Sequence, residues 1–266
     1  MYQQDRHVGM QRLVRAARTL LEALRVARED KVDFMASGVT YYTFFSLAPL
    51  ALILFVTASV FGGEALAAGI LVAVTGILPE VGRGVVTAMF RTNLGQSSIV
   101  SILVLVWASL QLFRGFDIAF SEIYGEEHEE TLVEELEDAV VALVALGTAV
   151  FLTAAAGTAL AAVPAVPSVG IVWTVLTFIG LVAVFLPLYY VFTDVDIDGR
   201  GLLPGAVVAA AGWTLLQSGF SVYAARVGGS LYGIFGGLLL LILWMYIGNM
   251  LILFGAVVNY VLWQNR

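Results

Sequence analysis

The chain has no cysteine, two histidines and one lysine among 266 residues, and charged side chains make up only 12% of it. The missing cysteine excludes disulfides, thiolate metal sites and cysteine nucleophiles. His7 and His128 stand far apart, and no Ser-His-Asp order, HExxH, GxSxG or P-loop is present, so we expect no catalytic residues, metal centre or cofactor. A nucleic-acid role is disfavoured as well. The net charge is −7, and no carboxylate cluster faces a basic groove. The first 31 residues contain no uninterrupted apolar core, so no cleavable signal peptide is expected.

What fills the chain instead is oil. Hydrophobic residues make up 60%, and mean hydropathy is +0.94. A membrane helix needs about 20 mostly apolar residues to cover about 30 Å of hydrocarbon. Six segments meet that length: 40–62, 97–119, 139–162, 169–192, 203–225 and 234–262. Backbone groups in lipid must be satisfied within the protein, and the segments lack barrel-like alternation, so helices are expected. The predicted fold class is all-α: a polytopic six-transmembrane-helix bundle, with an N-terminal amphipathic helix and short external interfacial helices over 66–92. Two regions follow, a cytoplasmic N-terminal helix over 1–33 and a transmembrane domain over 34–266.

Seven of the thirteen basic residues (Arg6, Arg12, Arg15, Arg18, Arg25, Arg28 and Lys31) precede the first span. Arg83, Arg91 and Arg226 fall on the opposite side, which predicts a multi-pass protein of the cytoplasmic membrane with both termini cytoplasmic. Acidic residues concentrate in GEEHEETLVEELED (125–138) and DVDID (194–198). Acidic cytoplasmic loops with little lysine fit either a halophile-like, salt-accumulating cytoplasm or a basic partner protein. DVDIDG also imitates the start of a calcium loop, but Gly205 stands where the bidentate Glu belongs, so a solvated acidic turn is the better reading.

Along residues 8–31, Met10, Leu13, Val14, Ala17, Leu20, Leu21 and Leu24 recur at helical spacing, with Arg12, Arg15, Arg18 and Arg25 largely beside that stripe. Such a helix can lie among anionic headgroups, or can pack beneath the bundle. Membrane lipids and a small solute or ion are the partners expected; the oligomeric state is left open.

Polar groups inside the spans are costly and are the candidate sites. Tyr42, Ser46 and Pro49 cluster on the first span, where the proline frees the Phe45 carbonyl. On the second, Trp107, Gln111 and Arg114 share a face, with Asp117 three residues on; an ion pair at the water boundary is the plainer reading of Arg114 and Asp117. Gln217 and Ser221 form a polar pair on the fifth. Asn249 and Asn259 on the last span could line a pathway or glue helices together. Gly248 and Gly255, seven apart, would admit a neighbouring backbone beside them.

The segments ASGVTYYTFFSLAPL (36–50), Trp107 with IYG (123–125), PGAVVAAAGWTLLQSGFSVY (204–223) and LYGIFGGLLLLILWMYIGNMLILFGAVVNY (231–260) resemble the YihY/virulence factor BrkB family of inner-membrane proteins. The resemblance covers nearly the whole chain. It implies six spans, cytoplasmic termini and a transport role, and it implies that the family's older ribonuclease BN label is a mistake. The acidic loops depart from the family, whose cytoplasmic loops are often basic. The expected function is transport or export of a small solute, ion or lipid-like molecule; the alternative is a non-catalytic envelope scaffold that organises lipids or partner proteins.

Overall fold

A computed structural model describes residues 2–61, 98–125, 169–193, 195, 197–227 and 233–265. Among these residues there are six helices and no strand: α1 Tyr2–Glu29, α2 Val32–Phe61, α3 Ser98–Tyr124, α4 Val169–Val191, α5 Gly199–Val227 and α6 Gly233–Gln264. Five of the six apolar segments read from the sequence fall on α2 to α6. The sixth (139–162), the external stretch 66–92 and the acidic loop 126–138 lie outside the described residues, as do the side chains of Met10 and Leu13.

Helix ends follow local chemistry. Gly125 takes φ +72° and its amide bonds the Ser121 carbonyl at 2.8 Å, a left-handed cap that closes α3. Asp30 and Lys31 are the two residues between α1 and α2; Lys31 takes φ 52°, and its carbonyl accepts from the Phe34 and Met35 amides and starts the second helix. Between α4 and α5, Val195 and Ile197 turn into the core while Asp198 stays exposed.

α6 is the hub. It packs against α1, α2, α3 and α5, and a tyrosine of α4 bonds its backbone. The core joins Ala36 and Val39 of α2, Phe116 and Phe120 of α3, Tyr189 of α4, Ala206, Ala209 and Ala210 of α5, and Leu253, Ala256 and Val257 of α6. Among the described residues, two stretches, Gly199–Phe220 and Leu238–Gln264, are long and apolar enough to cross a membrane; α4 holds a shorter one, Val175–Val191. Only 33% of the first and 50% of the second is buried within the chain. The core helix of a soluble protein would be mostly buried, whereas here Leu215, Leu239, Ile179 and Val175 face outward.

The ends of α1, α3 and α6 and the α4–α5 turn gather at one end of the molecule. There the Asn265 side-chain amide donates to Glu22 at 3.3 Å. At the same end burial raises the Asp30 carboxyl above the usual aspartate range, and the neighbouring Glu122 and Glu29 raise it further. A carboxyl raised in the fold opposes folding once it ionises, so its cost appears as pH climbs through the raised value. Asp30→Asn should therefore raise the thermal midpoint in detergent at neutral pH and change little at pH below the ordinary aspartate range.

The closest helix approach is testable too. A Cβ on Gly205 would overlap the Gly255 carbonyl oxygen and stand 2.5 Å from the Asn259 amide nitrogen; one on Gly255 would overlap the Tyr189 hydroxyl and stand 2.7 Å from the Gly205 carbonyl oxygen. Gly219 has open space around it. Gly205→Ala or Gly255→Ala should cost about 1–3 kcal/mol through overpacking, read as a fall in midpoint, while Gly219→Ala stays neutral or slightly stabilises.

Candidate functional site

Asn259 and Asn249 lie ten residues apart on α6 and are both buried, at 1% and 5% exposure. They face different helices and do different chemistry. The Asn259 Oδ1 accepts the Gly205 amide at 2.7 Å, and its Nδ2 donates to the Leu202 carbonyl at 3.1 Å. One amide side chain thus binds a donor and an acceptor of the α5 backbone, beside Pro204, which brings no amide hydrogen of its own. Two turns earlier on α6 the Tyr189 hydroxyl donates to the Ile252 carbonyl at 2.8 Å, and one turn earlier the Tyr124 hydroxyl reaches the Ala256 carbonyl at a longer 3.4 Å. Around these two tyrosines Phe116, Phe120 and Phe192 form an aromatic cluster, with Phe120 and Phe192 rings 5.5 Å apart.

Asn249 faces α2 instead. Its Nδ2 donates to the Thr40 and Thr43 hydroxyls at 3.1 and 3.2 Å. Those hydroxyls in turn donate to the Ala36 and Val39 carbonyls of their own helix at 2.6 and 2.7 Å. Ser46, also buried, donates to the Thr43 carbonyl at 2.8 Å. Three consecutive turns of α2 therefore carry hydroxyls bonded back onto the helix, a pattern that bends helices, just before Pro49 leaves the Phe45 carbonyl without its usual amide.

The other candidates spread out. Tyr42 lays its ring over Gly115 of α3, where a Cβ would stand 3.1 Å from the ring, so it fills the α2–α3 seam. Gln111, Arg114, Asp117 and Gln217 are half-buried, and Arg114, Asp117 and Gln217 are each engaged by neighbouring groups. Trp107 is half exposed. The side chains of Pro49 and Ser221 lie outside the described residues. The structure thus brings Asn249 together with Ser46 through Thr43, and gives Asn259 to a separate junction.

Sequence reasoning did not single out Thr40, Thr43, Tyr124 or Tyr189. Thr40 and Thr43 stand three apart on the same span as Ser46, a spacing that puts both hydroxyls on one helix face; that signal was available. Gly255 does meet a neighbouring backbone, at Gly205, whereas Gly248 receives the Trp213 ring, 2.6 Å from where its Cβ would be.

This arrangement defines a class: an all-helical protein with apolar helices of membrane length, held together by buried amides and tyrosine hydroxyls. The sequence profile of the family described as Virulence factor BrkB matches residues 23–266, and the chain belongs to that family. It is 25% identical over 244 residues to a UPF0761 membrane protein of Methylibium petroleiphilum, covering 87% of this chain and 59% of that protein. A UPF0761 membrane protein of Alteromonas mediterranea is 25% identical over 246 residues, covering 88% and 83%. The ribonuclease-like protein YfkH of Bacillus subtilis is 32% identical over 88 residues, 32% of either chain. The chain therefore spans less than two thirds of the Methylibium relative's length and aligns with a third of the Bacillus one. No solved structure matches it.

The Tyr189 hydroxyl and the place of a Cβ on Gly255 compete for one space. Tyr189→Phe should cost about 1 kcal/mol as a lost hydrogen bond. Combined with Gly255→Ala it should cost less than the sum of the two, because the phenylalanine removes the atom that the new methyl meets. Thermal midpoints of the four proteins of that cycle check it.

Proposed function

We propose that the protein is a six-span helical protein of the cytoplasmic membrane, with both termini cytoplasmic, that moves a small solute, ion or lipid-like molecule along the interface between α2 and α6. The observation that carries this reading is the Asn249 amide, 5% exposed and bonded to two threonine hydroxyls on the facing helix. Polar groups at this depth cost free energy, and interhelical hydrogen bonds in membranes return only about 0.6–2 kcal/mol. Gluing helices needs fixed partners, which Asn259 has in the α5 backbone. Asn249 is bonded to side chains instead, and threonine hydroxyls can rotate to a passing ligand without opening a helix. Back-bonded hydroxyls and Pro49 make α2 the more deformable partner of that interface.

The family and its membrane-protein relatives support the membrane setting, and the basic N-terminal helix supports the orientation. The ribonuclease-like wording belongs to the Bacillus protein's name, and we read this chain as non-enzymatic. The alternative of a non-transporting scaffold draws on the outward face of α1.

Efflux of inorganic ions and small neutral osmolytes from proteoliposomes tests the proposal. Asn249→Leu, and separately Thr40→Val with Thr43→Val, should lower flux at least about tenfold, the equivalent of 1.4 kcal/mol on the barrier, with the thermal midpoint held within a few degrees. Asn259→Leu should instead lower the midpoint, since it strips the Gly205 amide and Leu202 carbonyl of their partner. Undiminished flux in Asn249→Leu would sink the α2–α6 route.

A further inference from the structure

α1 buries the wrong face for a helix whose leucines were made to pack on the bundle. Ala23 is fully buried, and Val26 and Ala27 pack beside it against the core that α6 organises. The leucine row points the other way: Leu21 is 66% exposed and Leu24 57%, with Val14 and Leu20 also exposed. The helix does pack against the bundle, as one of the two readings expects, but through its alanine face and not through the leucine stripe.

The charges are sorted as well. Arg15, Arg18, Arg25 and Arg28 are all exposed. Two acids of the same helix are also exposed but have partners: Glu22 accepts from Asn265, and Glu29 pairs with Arg25 at 2.9 Å. Among the described residues, Arg15, Arg18 and Arg28 have no ion-pair partner. At 100° per residue, Val14, Ala17, Leu21 and Leu24 occupy one sector of the helix, with Arg28 inside it and Arg25 and Arg18 on its edge. A row of leucines in water is unfavourable at about 25 cal/mol per Å². Its natural cover is one that accepts both an apolar wedge and a line of guanidinium groups.

We propose that the outward face of α1 docks into the anionic phospholipid leaflet at the end of the molecule where α1, α3 and α6 finish. The leucines sink to the acyl boundary, and Arg18 and Arg28 meet lipid phosphates, while Ala23, Val26 and Ala27 keep the helix clipped to the bundle. This rests on the membrane setting above and not on transport. It makes α1 a lipid-reading element attached directly to α6 and, through the two-residue turn Asp30–Lys31, to α2. The negative charge of the chain as a whole does not oppose this, because screening over about 8–10 Å leaves the local arginine row in control.

The absence of cysteine makes the test clean. The full chain carrying Leu21→Cys, Leu24→Cys or, as a control on the polar side, Glu22→Cys is spin-labelled and reconstituted in nanodiscs of phosphatidylglycerol or of phosphatidylcholine. Collision with oxygen, which concentrates in lipid, is compared with collision with a water-soluble nickel chelate. Labels at 21 and 24 should prefer oxygen in phosphatidylglycerol. That preference should fall in phosphatidylcholine and after Arg18→Gln and Arg28→Gln are combined, with the thermal midpoint unchanged. A preference for the chelate would place the face in the cytosol, and screening from both would mean that protein covers it; either result overturns the proposal. Oxygen preference indifferent to lipid charge and to the arginines would remove the phosphate contact. Flux plays no part in these readouts, so failure here and failure of the α2–α6 route are separable.

Discussion

Everything in this fold is arranged around how close two helix backbones can come in the absence of water. At Gly205 and Gly255, α5 and α6 meet so tightly that neither position has room for a methyl group. Between apolar helices in lipid there is little hydrophobic drive to associate, so packing and hydrogen bonds must do it. The glycine contact brings backbone within reach, and Asn259 then joins the Gly205 amide and Leu202 carbonyl to α6. Tyr189 can reach the Ile252 carbonyl only because Gly255 leaves space for its hydroxyl. Remove the glycine and three helices lose their register together. The alanines at 206, 209 and 210 continue the same thin surface along α5.

The two sides of α6 therefore differ in stiffness. Toward α5 and α4 its contacts run from side chain to backbone, and breaking them strands the buried Asn259 amide or Tyr189 hydroxyl without a partner. Toward α2 the polar contact is side chain to side chain, and every hydroxyl in it has a fallback on its own helix. A helix pair held in the second way can change partners at much lower cost than one held in the first. If one interface in this bundle opens, the bonding pattern selects α2–α6.

Much of this was legible in the sequence, and what was not has a physical reason. Apolar length located five of the described helices, although it measures hydrocarbon and not hydrogen bonding: α2 begins at Val32, two turns before the apolar core of its span, because its start is set by the Lys31 carbonyl. Asn249 and Asn259 stood out because an amide among leucines is expensive wherever it sits. Their partners did not, since pairing Asn249 with Thr40 needs the register of two helices 209 residues apart in the chain. Tyrosine hydroxyls were overlooked for a related reason. A tyrosine in a span reads as an apolar ring until a carbonyl is seen at its tip.

The same limit explains α1, where the leucine stripe was visible and its direction was not. Periodicity finds a hydrophobic face without saying what lies against it. Helix-to-helix contact favours small residues, which let backbones approach, and a lipid boundary favours long ones, which fill acyl space. Ala23, 0% exposed, belongs to the protein side and Leu21 to the outward side, the reverse of the expectation from a soluble amphipathic helix. α5 obeys the same sorting: Ala206, Ala209 and Ala210 are buried against neighbours while Leu215 faces out. Size sorts residues this way only where helices meet most closely; elsewhere the core is filled by large side chains such as Phe120, Tyr189, Leu202 and Leu253.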